Sequence, residues 1–189
     1  SGGWASGSCP HNRVYAIKFV LRSEGPRDYA DLIRSFRYPP TINISDIPQR
    51  LAQLTNRIEN GFFNPYDGKP FPSSDENIEL AIAGQLKRYF PWWMSLDDPL
   101  SNVTASSSNE DIHPVTGTSE RYSMYDRFHE KNSNNPDDLL RRLALCPQLY
   151  ANTNSESHEQ LHSVLNKDNY FLNMMQPATH VFMKRLLVH

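Results

Sequence analysis

Pro39-Pro40-Thr41-Ile42-Asn43-Ile44-Ser45-Asp46 decides how this chain is expected to fold, because it reads as a short strand that stops on an acid. Two prolines forbid helix at its start, and Thr41, Ile42 and Ile44 suit a strand. Asp46 then stands where strand gives way to loop, at the edge where α/β sheets hold ligands. A carboxylate fixed there can hold a divalent cation, but taken alone it reads first as the cap of a helix that begins near Gln49, since Asp is a preferred N-cap.

Upstream, Val14 to Leu21 is an apolar run whose only charge is Lys18, the pattern of a largely buried strand. Pro26 opens a helix over Arg27 to Arg37, with Tyr29, Leu32, Ile33 and Phe36 at helical spacing. The order strand, helix, strand predicts that Val14 to Leu21 and the strand of Asp46 form a parallel pair joined by a right-handed crossover.

Downstream, Gln49 to Ile58 carries a weak helical stripe of Leu51, Leu54 and Ile58. From Gly61 the chain turns aromatic, Pro-rich and irregular, with a short helix expected over Asp75 to Leu86 behind Ser-Ser-Asp capping signals. Phe90-Pro91-Trp92-Trp93 reads as a small core that holds this stretch down, with base stacking as the alternative. Ser101 to Asp111 is low in complexity and reads as a loop. Order returns from Arg121 to His129, followed by an amphipathic helix over Asp137 to Leu145 and helical patterns over Ser155 to Lys167 and Thr179 to Val188. The expected fold class is α/β: a core in two parts, residues 1–60 and 121–189, with an irregular insertion over residues 61–120.

Composition limits the function. The formal net charge of −2 over 189 residues supplies no global field toward nucleic acid, so any such contact must use local patches. Lys87-Arg88 and Arg141-Arg142 are such patches, and read first as solvated surface. No apolar run approaches the ~20 residues that cross a bilayer, so no membrane partner is expected. Two cysteines suit a reducing, intracellular compartment. Ser1-Gly2-Gly3 reads as an expression scar, and the end stops on an apolar pattern, so a segment of a longer polypeptide is expected.

Three acidic features carry the chemistry: Asp46, Asp126 within Asp126-Arg127-Phe128-His129, and Glu159. On the last long helix Leu161, Val164 and Leu165 form the buried stripe, which leaves Glu159 facing either a polar cleft or water. A second constellation is a cysteine hydrolase: Cys9 in Gly7-Ser8-Cys9 as nucleophile, His129 or His158 as base, Asp126 or Asn154 as orienter. Against it, Pro10 follows Cys9 directly and the next stretch reads as strand, so no helix N-terminus lowers the thiol pKa.

The strand ending in Asp46, the Asp-x-x-His element and the late Glu159, in that order, resemble the catalytic core of DDE transposases with a ribonuclease-H-like fold. Cys9-Pro10-His11, Arg27 to Asp31, His113-Pro114-Val115-Thr116-Gly117 and Asp126 to Glu130 look like transposon-derived proteins near the Kyakuja-Dileera-Zisupton elements. The resemblance implies Mg²⁺- or Mn²⁺-dependent phosphodiester cleavage or strand transfer on DNA, with RNA as a further substrate class and a nuclear setting. Asp46 and Glu159 would be the metal ligands, and Asp126 with His129 would orient a phosphate or brace the site. One ligand is missing: the family's first catalytic Asp belongs on a first strand, and no acid precedes Glu24. Either that strand lies outside this segment or the site has decayed into a domesticated nucleic-acid- or protein-binding module.

Overall fold

The computed structural model describes residues 3–9, 13–20, 25–93, 111–131 and 135–153, with 175–176, 178–179 and 182–183. These form a mixed α/β arrangement of two two-stranded sheets and five α-helices. The expected helices around Glu159 and from Thr179 onward, and most of the Ser-rich loop, lie outside the described residues.

The chain begins with an antiparallel hairpin of β1 (Gly3–Ser8) and β2 (Val14–Val20), with Trp4 opposite Phe19 and Ser6 opposite Ile17. Its small residues let a helix come close. Ala5 and Val20 are buried against Leu32 of α1 (Pro26–Arg34), and a Cβ on Gly7 would already touch the Phe36 ring at 4.0 Å. Pro26 starts α1 as the spacing predicts, and the Asp28 carboxylate accepts the Gly25 N–H at 3.3 Å.

The strand of Asp46 is present as β3 (Ile42–Ser45), but its partner differs from expectation. β2 pairs with β1, and β3 pairs in parallel with β4 (Tyr122–Tyr125), Ile42 opposite Tyr122 and Ser45 opposite Tyr125. The Gly- and Ser-rich β1 has little strand propensity of its own, so sequence pattern alone gave β2 no local partner. Among the described residues β4 is the one strand beside β3, which leaves the other edge of β3 unpaired. On the same strand the Asn43 Nδ2 and Ser45 Oγ atoms are buried and have no hydrogen-bond partner among the described residues.

Two apolar clusters enclose the parallel pair. Ala30 and Ile33 of α1 meet Leu51 and Ala52 of α2 (Pro48–Ile58) over Phe62 and Phe63, while Ser123 Oγ donates to the Pro48 carbonyl at 3.0 Å. Tyr122 and Met124 pack with Ile42 and Ile44 against Leu86, Phe90, Leu140, Leu143 and Cys146. Both faces are therefore covered, as parallel strands require.

Residues 61–93 are built into this core: Phe63 and Phe90 are almost fully buried. The stretch contains α3 (Asp75–Ile82), whose N-cap Ser74 accepts the Asn77 N–H at 3.2 Å. Buried Lys69 bonds Ser73 and reaches Asp137 at 3.0 Å, tying the stretch to α4 (Pro136–Leu139).

The amphipathic helix expected over Asp137 to Leu145 is broken after α4, and Leu143–Leu145 continues as a single 3-10 turn before α5 (Pro147–Asn152). The break coincides with a tertiary contact: the Arg141 carbonyl accepts the N–H of Tyr125, the last residue of β4, at 2.9 Å, and the segment after α4 follows the strand. Arg141 is also not solvated surface. It is 2% exposed, and its guanidinium donates to the carbonyls of Ser123 (3.0 Å) and Asp67 (2.8 Å).

Candidate functional site at the ends of the parallel strands

The carboxyl ends of β3 and β4 lie side by side, so Asp46 and Asp126 each stand one residue past the last registered pair, Ser45 and Tyr125. The Asp126 N–H donates to the Ser45 carbonyl at 3.2 Å, which fixes the two ends together. Asp46 is exposed. It does not cap α2: that helix is entered from Ile47 without a side-chain cap, and Pro48 at its first position needs no N–H acceptor. The capping reading of Asp46 is thereby corrected.

Asp126 has a different environment. One oxygen accepts the N–H groups of Phe128 and His129, both at 2.8 Å, and the other lies 2.7 Å from His129 Nδ1. Only 16% of its side-chain surface remains exposed. The aspartate thus closes its own turn and orients the imidazole, leaving Nε2 on the opposite side of the ring to act on a ligand. With Nδ1–H donated to the carboxylate, a neutral His129 presents an acceptor at Nε2 and a protonated one a donor.

Glu130, at the end of the turn, is a residue whose place the sequence reading missed. It is 6% exposed and accepts the Leu143 N–H at 3.1 Å, while its own carbonyl accepts from Arg142 Nε at 3.0 Å. Burial pushes its carboxyl above the usual carboxylate range, against the lowering effect of the Ala144 and Leu143 amides and of Arg142. A raised folded-state pKa contributes stability that is fully present below the ordinary value of 4.5 and is lost as pH rises through the folded-state value. Glu130→Gln is therefore expected to gain on the parent chain between about pH 4.5 and about pH 7.5. Urea midpoints of both proteins at the two pH values check this; a constant difference would contradict it.

Glu159 lies outside the described residues, as do His158 and Asn154. Among the described residues no three His, Cys, Asp or Glu side chains form a metal-ligand cluster. Cys9 sits at the hairpin turn, its N–H donating to the Arg13 carbonyl at 3.0 Å, away from any helix N-terminus. Burial pushes the Cys146 thiol up to about 12, which leaves it inert. The segment His113 to Gly117 is a tight turn whose Thr116 hydroxyl meets that of Thr41 at 2.9 Å, just before β3.

Fold and site together define a mixed α/β chain that presents two aspartates at adjacent parallel strand ends. Over 154 residues, 79% of its length, the chain is 26% identical to HMG domain-containing protein 3 of Homo sapiens, and it spans 11% of that protein. No family model and no solved structure matches it. No described helix is long and apolar enough to cross a membrane.

Proposed function

We propose that the chain is a transposase-derived nuclease- or integrase-like domain, ancestrally a Mg²⁺- or Mn²⁺-dependent phosphodiester transferase on DNA, now domesticated. The observation that carries the reading is the placement of Asp46 and Asp126 beyond paired residues of two parallel strands, with His129 locked onto Asp126. Among the described residues no strand lies on the other edge of β3, as a ribonuclease-H-like core lacking a strand would leave it, and an acid on such a strand would supply the third carboxylate. Similarity to an HMG domain-containing protein supports a nuclear, nucleic-acid setting.

Asp46, an exposed carboxylate at a strand end, is the described residue that would hold a hard divalent cation, with Glu159 as the second ligand that the resemblance implies. Such a cation stabilises charge developing on a phosphate oxygen. The chain's own contribution is positional: Asp126 has both oxygens engaged in its turn, so it braces His129, and His129 Nε2 meets a phosphate oxygen. That commitment of Asp126 to its own turn favours a binding module over an active enzyme.

Manganese binding tests the assignment. Titration followed by electron paramagnetic resonance is expected to show Mn²⁺ bound by the parent chain and weakened roughly tenfold or more by Asp46→Asn, which removes one charged oxygen ligand. Unchanged affinity in that variant sinks the assignment.

A further inference from the structure

The turn Asp126-Arg127-Phe128-His129-Glu130-Lys131 sorts its side chains by chemistry. Both acids turn inward: Asp126 onto its own amides and His129, Glu130 onto the Leu143 amide. Arg127, Phe128 and Lys131 are exposed, and Phe128 keeps 65% of its surface in water. In a chain of net charge −2, this places two cations and an aromatic ring together on one turn whose own acids face inward, with Asp46 as the exposed carboxylate at the neighbouring strand end.

The ring is held in place. The Phe128 N–H is fixed on Asp126 at 2.8 Å, and the ring meets the His129 imidazole edge to face, with centroids 5.1 Å apart. Arg127 lies over the Tyr150 ring at 4.2 Å, which restrains its guanidinium on the same turn. A pre-ordered, water-exposed aromatic between two cations at alternate ends of one turn matches the chemistry of an unpaired nucleotide chain: a base to stack on, with phosphates on either side.

We propose that this turn is a single-stranded nucleic-acid contact, with Phe128 stacking on a base and Arg127 and Lys131 meeting the flanking phosphates. The proposal rests on the nucleic-acid reading above and names the residues that touch the strand. His129 Nε2 and Asp46 then lie next to the backbone that the turn holds. A protein ligand for the same turn is the competing outcome.

The test uses the 189-residue chain and a fluorescein-labelled oligothymidylate of about 12 nucleotides, with binding followed by anisotropy. Phe128→Ala is expected to weaken binding about 5- to 150-fold, the range for one lost base stack, with Phe128→Trp restoring it. Both variants should melt like the parent, because the ring is exposed. The double change Arg127→Ala, Lys131→Ala should reduce the slope of log K against log salt by about 1.4, two phosphates at about 0.7 each. Affinity in Phe128→Ala within twofold of the parent, or no salt-dependent binding by the parent, overturns the proposal. Manganese binding at Asp46 separates the two ideas: if Asp46→Asn still weakens it roughly tenfold or more while Phe128→Ala binds the strand normally, only this proposal fails.

Discussion

Replacing Arg141 by alanine is expected to lower stability by about 3–5 kcal/mol, the largest effect foreseen for a single polar side chain here. The guanidinium is buried and donates at 3.0 Å to the Ser123 carbonyl in β4 and at 2.8 Å to the Asp67 carbonyl in the preceding loop. Truncation strands the buried Ser123 carbonyl and removes a cation that interacts with buried Asp138, whose charge, with those of Asp67 and Asp137, opposes the lowering of the guanidinium pKa by burial. Arg141→Lys should recover only part of the loss, because one ammonium does not reproduce the fork that reaches both carbonyls. Urea denaturation of the two variants measures this; a loss under about 1 kcal/mol for the alanine variant would show that the clamp is dispensable.

Phe90→Ala should cost a similar amount, about 3–5 kcal/mol, through the transfer term and the cavity left behind. The ring is 1% exposed, stacks 5.1 Å from Trp92 and packs 5.1 Å from Tyr122 of β4. Its N–H is held by Gln148 of α5 at 2.8 Å. The variant distinguishes a detachable insertion from an integral one. With residues 61–93 integral, thermal unfolding shifts downward as one transition. A separate early transition that leaves the main melt in place would show that the stretch folds on its own.

Much of the local structure was legible in the sequence. The prolines before Thr41, Pro26 at the head of α1 and the serine before α3 all act through their own or neighbouring backbone, and each stands where its chemistry placed it. Asp126 and His129, three apart, also form a local pair within one turn. What was not legible depends on contacts across the chain. β1 is made of small residues whose strand state comes from β2 and α1. The helix over Asp137 to Leu145 has adequate pattern but breaks where its middle meets β4, and the Arg141 beside that break is pulled into the core. Of the candidate site, the aspartates carried a signal; the inward turn of Glu130 did not, because its burial is made tolerable by the distant Leu143 and Ala144 amides and by Arg142.

The bare edge of β3 has a consequence for how the chain behaves at high concentration. A short, half-buried strand rich in isoleucine, with peptide groups that meet no partner among the described residues, is a template for any extended chain that drifts past. Proteins that carry such a rim usually guard it with lysine, proline or a bulge, and Ile42 to Ser45 has none of these. Among the described residues nothing covers this edge, so edge-to-edge pairing between molecules is a route to self-association that the strand's own sequence does not guard against.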